Sequence, residues 1–139
     1  MNIKIVNMAN RPDPMPATEL KVFFADSGSC NWKSFTYAMV DTGSTKTIIS
    51  LKTLKALGIS FNLGSERTLS TIGSVSSTLR SARIDILVPP VSGTEAVAFV
   101  NHEILVDESS DMDVLGLDIL KFFELIYKDG KIVTFISRL

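Results

Sequence analysis

Apolar residues along this chain fall into short runs, and most alternate with a period of two rather than recurring at helical spacing. Residues 20–25 and 35–40 read as strands, joined across Asp26-Ser27-Gly28-Ser29 as a hairpin with a long connection. Residues 82–88 alternate, which predicts Ile84 and Ile86 on a buried face and Arg83 and Asp85 on a solvated one, until Pro89-Pro90 ends the run. Residues 96–100 and 104–106 predict two further short strands, and 3–8 an edge strand. Residues 125–127 and 132–136 flank Asp129-Gly130, the strongest short hairpin signal in the chain.

The period changes after Ser50. Leu51, Leu54 and Leu57 recur at helical spacing, Ser50 can cap the start and Gly58 can stop the end, so 50–57 is predicted as a helix of about two turns. A second short helix is predicted over 117–123. Residues 67–79 are rich in Ser, Thr and Gly around a few apolar positions, the composition of a flexible hairpin with Gly73 near its tip. Pro12, Pro14 and Pro16 make 11–16 extended and poor in backbone donors, so 1–18 is expected to be an extended N-terminal segment. Many short strands with one or two short helices predict an all-β fold, a closed barrel or sandwich. With no internal repeat and no linker, the 139 residues are expected to form a single domain, 1–139.

Composition narrows the function. Hydrophobic residues make up 45% and charged residues 21%, ordinary for a soluble globular chain. The formal net charge is −1, and the one modest basic cluster, Arg80 and Arg83, reads as a solvated strand face, so no nucleic-acid partner is expected. No apolar run reaches membrane-span length and the first residues lack a signal-peptide pattern, so no membrane partner and a cytoplasmic location are expected. A lone cysteine, Cys30, makes no internal disulfide and sits in a turn-like stretch, where it reads as a loop thiol. With one histidine, His102, in the polar stretch Asn101-His102-Glu103, neither a zinc site nor Ser-His or Cys-His machinery is expected, and no metal or cofactor is implied.

The sharpest feature is Ala38-Met39-Val40-Asp41-Thr42-Gly43-Ser44-Thr45. An apolar strand that ends on a carboxylate is costly unless the charge has a partner or a task. Gly43 permits a sharp turn, and Thr42, Ser44 and the loop amides can orient the carboxylate. Three readings compete: an aspartic-protease loop, the phosphate loop of the actin and sugar-kinase superfamily, and an ordinary Asp closing a strand in an Asx-turn. For an isolated Asp-Thr-Gly the third would prevail, and the second needs two lobes around a nucleotide, for which this chain has no room.

The stretch resembles the active-site motif of the retropepsin-like aspartic proteases. Some seventy residues on, Asp113-Val114-Leu115-Gly116-Leu117-Asp118-Ile119-Leu120 is similar to that family's second signature, two apolar residues and a glycine leading into a short helix. The resemblance spans roughly 20–136. It departs from the viral members, which commonly pair an Arg at the place of Leu117 with an Asp at the place of Thr45, and so looks closer to the cellular and bacterial branches. It implies Asp41 as the catalytic residue, Thr42, Gly43 and Ser44 as the active-site loop, Ile72, Gly73 and Ser74 as a flap, and Val114, Leu115 and Gly116 as supporting structure. It also implies an aspartic endopeptidase without cofactor, whose partners are a second copy of itself and an extended peptide or protein substrate. One Asp-Thr-Gly per chain means that the second carboxylate must come from a second chain, a homodimer. The alternative is a catalytically silent module of the same fold that dimerises or binds peptide. In the expected loop geometry the Ser44 hydroxyl reaches the outer oxygen of Asp41, which would lower the pKa values of the pair and place the pH optimum in the acid range.

Overall fold

A computed structural model describes residues 2–7, 15–16, 19–64, 66–70, 76–89, 95–129 and 131–137. In chain order the elements are β1 (Asn2–Asn7), β2 (Met15–Pro16), β3 (Glu19–Asp26), β4 (Phe35–Val40), β5 (Ile48–Ser50), α1 (Leu51–Ala56), β6 (Glu66–Ser70), β7 (Ser76–Val88), β8 (Glu95–Asp107), β9 (Val114–Leu115), α2 (Leu117–Leu120), β10 (Phe123–Lys128) and β11 (Lys131–Ser137). The all-β expectation holds. Eight strands form one sheet in the order β1-β8-β5-β9-β4-β3-β7-β6, and an additional β7–β8 pairing turns that sheet back on itself. It is a folded-over sheet rather than a regular barrel. A second sheet has the order β10-β11-β2.

The alternation in β3 is what makes it a strand with one buried face. Leu20, Val22 and Phe24 are buried, whereas Lys21 and Phe23 are half-buried on the other side. Its pairing with β4, Leu20 opposite Ala38 and Phe23 opposite Phe35, is the predicted hairpin. The inward side chains join Ile49, Leu54, Ile84, Ile86, Phe99, Ile104, Leu115 and Ile119 in the main core. The helix at 51 forms as expected: the Ser50 side chain accepts from Thr53 N–H at 3.1 Å, and Gly58 follows with a positive φ of 70°. The hairpin around Asp129-Gly130 also forms, with Lys128 opposite Lys131. β1 lies at the edge of the large sheet, against β8.

Four expectations are corrected. First, 96–100 and 104–106 are one strand, β8, bent at Asn101, whose φ is 53°. Its Ala96, Val97, Ala98 and Phe99 are all buried, because a small cluster of Leu87, Ala96 and Ala98 with Val6, Phe23 and Trp32 covers the face that turns away from the main core. A strand covered on both faces shows no alternation. Second, the end of the 67–79 hairpin and the 82–88 strand are one strand, β7; the three-residue β5, too short for any period to show, was not predicted at all. Third, α2 stops at Leu120; Phe123 instead pairs with Ser137 and packs with Phe122 against the Phe99 ring.

The fourth concerns Asp85, which is fully buried, not solvated. The register slips between Ile84 and Ile86, so Asp85 falls out of the alternation. Its carboxylate accepts from the backbone N–H groups of Gly28 (2.7 Å), Cys30 (2.8 Å) and Asn101 (2.8 Å). Donors aimed at a carboxylate offset much of its lost hydration. Asp85 thereby ties the 27–30 turn to the bend in β8. Arg83 is exposed as predicted and donates to the Asn101 carbonyl at 2.8 Å.

Candidate active site

Asp41 sits where β4 leaves the sheet. β4 runs parallel to β9, with Met39 beside Val114 and Val40 beside Leu115. Met39 N–H donates to the Asp113 carbonyl (2.8 Å) and Asp41 N–H to the Leu115 carbonyl (3.1 Å), so the end of β4 and Asp41 share one backbone frame with β9. Beyond it the chain turns at once. Ser44 N–H donates to the Asp41 carbonyl at 3.1 Å, and Gly43 N–H donates to Asp41 Oδ1 at 2.9 Å. A Cβ on Gly43 would lie 3.1 Å from that same Oδ1, which is why the closest turn to the carboxylate carries glycine. Asp41 is half-buried, and Thr42 and Gly43 are exposed. No further side-chain partner of Asp41 is found among the described residues. The carboxylate is therefore steered through one oxygen and leaves the other toward the surface.

The loop is clamped from beneath by the second motif. Leu117 N–H donates to the Ser44 carbonyl at 2.8 Å, and Gly116 N–H to Thr47 Oγ1 at 3.2 Å. Val114 pairs with Met39 of β4 and Ile48 of β5, and Leu115 with Val40 of β4, so the three elements that carry the loop meet there. Gly116 is buried so tightly that a Cβ would fall 2.5 Å from both C and O of Lys46 and 2.8 Å from the Ser44 carbonyl. The structure thus brings Asp41, Thr42, Gly43 and Ser44 together with Val114, Leu115 and Gly116. Ile72, Gly73 and Ser74 lie outside the described residues; β6 and β7 pair on either side of them, ending at Ser70 opposite Ser76.

Ser44 does not do what was expected of it. Its Oγ donates to the Lys46 carbonyl at 2.7 Å. A hydroxyl has one proton to donate, so it is not available to the outer oxygen of Asp41. The loop's own backbone takes it, and the reason for placing the pH optimum in the acid range goes with it.

Two carboxylates flank the Val114-Leu115-Gly116 stretch, and neither was singled out from sequence. Asp113 is buried; its Oδ1 accepts from Ser50 N–H at 2.9 Å and its Oδ2 from Thr53 Oγ1 at 2.7 Å. Burial pushes its pKa above the usual carboxylate value, with the hydrogen bonds from Ser50, Thr53 and Thr36 opposing. Asp118, on α2, accepts from Thr47 Oγ1 at 2.8 Å and meets His102 Nε2 at 2.8 Å. Burial would raise its pKa, but the bonds from His102 and Thr47 outweigh it and hold it below the ordinary value. His102 and Asp118 are 16 residues apart in sequence, on elements whose meeting no local spacing announces.

No family model and no curated protein sequence matches this chain. Solved structures do. Among them is the crystal structure of a retropepsin-like aspartic protease from Rickettsia conorii, with a TM-score of 0.50 over 95% of this chain and 98% of that one, at 21% sequence identity. The fold is therefore retropepsin-like, and the Asp41 loop with its Leu-Gly clamp lies within the matched length.

Proposed function

We propose that this chain is an aspartic endopeptidase that works as a homodimer, with Asp41 and a second copy of Asp41 forming the dyad. The observation that carries it is the Asp41 loop itself. A carboxylate at the end of an apolar strand is oriented by Gly43 N–H, left accessible, and braced by a rigid second motif within a retropepsin-like fold. Two such carboxylates face to face cannot both ionise easily and share one proton. One then takes a proton from a bound water while the other donates to the scissile carbonyl. Thr42 and Gly43, exposed on each chain, supply the surface where the loops meet, and exposed Leu117 is joined to that loop by its N–H bond to the Ser44 carbonyl. Ile72, Gly73 and Ser74 would close over an extended peptide and exclude water. The chemistry asks for no cofactor.

The test is turnover of a peptide library by the wild type beside Asp41→Asn, from acid to neutral pH. We expect a bell-shaped profile, cleavage abolished in a variant that still folds and dimerises, and specific activity that falls on dilution as the dimer dissociates. Peptide binding without cleavage by the wild-type dimer would instead mark a silent binding module.

A further inference from the structure

We propose that His102 and Asp118 form a positioning pair that holds the Asp41 loop in place through the buried hydroxyl of Thr47. This rests on the protease reading of Asp41, but the structural link can be tested apart from it. The link is a continuous polar chain. His102 Nε2 meets Asp118 Oδ2 at 2.8 Å, Asp118 Oδ1 accepts from Thr47 Oγ1 at 2.8 Å, and Thr47 Oγ1 accepts from Gly116 N–H at 3.2 Å. An ionised carboxylate only accepts, so Nε2 carries the proton in this contact and Thr47 spends its own on Asp118. The donors thus converge on Asp118, His102 from β8 on one side and Gly116 N–H through Thr47 on the other, which links β8 and α2 to the loop that follows Asp41.

What the chain fixes is the stretch 44–47. Ser44 and Lys46 are stitched to each other by the Ser44 hydroxyl, Ser44 to Leu117 by a backbone bond, and Thr47 to Leu105 by its carbonyl, which accepts Leu105 N–H at 3.0 Å. Thr47 is fully buried, so its rotamer is set by its hydrogen-bond partners rather than by water. Asp118 sets that rotamer and His102 sets Asp118. His102 in turn packs edge-to-face with the Phe99 ring, 5.7 Å between centroids. Its open side faces a small cavity of about 330 Å³ shared with Lys46, Arg83 and Glu103, where Lys46 and Glu103 are themselves 3.7 Å apart. His102 and Asp118 are assigned no contact with substrate; they act through Thr47 and Gly116.

The experiment compares His102→Leu with His102→Gln, whose side-chain amide nitrogen can replace the Nε2–H donor. Small displacements of a reacting group are costly, so His102→Leu should lower kcat about tenfold or more with KM within about threefold, and His102→Gln should restore kcat to within about threefold. Amide hydrogen exchange at Gly116 and Leu117 should quicken in the Leu variant and slow again in the Gln variant. Should His102→Leu fail to fold, Thr47→Val, which removes the bridging hydroxyl at nearly constant shape, is measured against Thr47→Ser in the same way. A kcat for the Leu variant within about twofold of wild type, or a Gln variant no better than Leu, overturns the proposal. If the wild type cleaves nothing, the protease reading fails and exchange alone decides the link. Unchanged protection of Gly116 and Leu117 in His102→Leu and Thr47→Val then overturns it, and protection lost in both and regained in Gln and Ser supports it.

Discussion

Asp113 and Asp118 stand on either side of Val114-Leu115-Gly116, each about as buried as the other, yet their pKa values move in opposite directions. The difference lies in the donors. Asp113 is met by a backbone amide and hydroxyls, all neutral, which do not make up for its lost hydration. Asp118 has a hydroxyl and an imidazole, and the imidazole contact adds a charge-assisted bond when the ring is protonated. The Asp113 carboxylate anchors the start of α1, whereas that of Asp118 braces the stretch that follows Asp41 through Thr47. Burial alone does not tell which carboxylate is kept ionised; the partner does.

The largest expected effect strikes both sides of this comparison at once. Gly116 lies between the two carboxylates, and a Cβ there would meet the Lys46 and Ser44 backbone, which has no flexible end to move aside. Gly116→Ala should cost about 3 kcal/mol or more, read as a large fall in thermal midpoint. A stable, fully folded Gly116→Ala would mean that the second motif and the Asp41 loop are not locked together as described.

The next effect separates the two. At neutral pH, Asp118→Asn loses a bond to a charged group and should cost about 1.5–3 kcal/mol. Asp113→Asn should cost less than about 1 kcal/mol, because an amide can accept Ser50 N–H through its oxygen and donate to Thr53 Oγ1 through its nitrogen. The pH dependence sharpens the contrast. The folded-state pKa of Asp118 is lowered, so its contribution is present above an unfolded value of about 3.9 and is lost as pH falls through the lowered folded value. That of Asp113 is raised, so its contribution is present below about 3.9 and is lost as pH rises through the raised folded value. Denaturation midpoints between about pH 3 and pH 7 should therefore show Asp113→Asn gaining on wild type as pH rises and Asp118→Asn losing ground. Parallel curves would show the two carboxylates to be equivalent after all.

Much of this was legible in the residues. Leu20, Val22 and Phe24 announce a half-buried strand, Ser50 and Gly58 bracket α1, and Asp-Thr-Gly-Ser with the later Leu-Gly-Leu points to the loop and its clamp. What was hidden shares a physical cause, which is dependence on partners distant in sequence. β8 loses its alternation because a second small cluster covers its outer face. Asp85 reads as solvated until a register slip turns it onto three backbone amides of two other segments. His102 reads as a single histidine in a polar stretch until α2 brings Asp118 against it.

The smallest expected effect belongs to Ser44, and it tests the difference between a residue beside the carboxylate of the proposed dyad and one that touches it. Its hydroxyl donates to the Lys46 carbonyl within the loop. Ser44→Ala therefore removes one partly buried hydrogen bond, a loss of about 1 kcal/mol in stability. It does not remove a donor from Asp41, whose Oδ1 keeps the Gly43 amide. The pH–activity bell of the proposed dyad should keep both limbs where the wild type has them. A hydroxyl that turned to Asp41 on dimerisation would act otherwise: by favouring the ionised form it would lower the pair's pKa values, and its removal would shift the bell toward neutral pH by about one unit. Matched pH–rate profiles of wild type and Ser44→Ala distinguish the two, since a shift of that size is well outside the scatter of such curves. An unmoved bell with a slightly lower thermal midpoint is the result that the loop geometry requires.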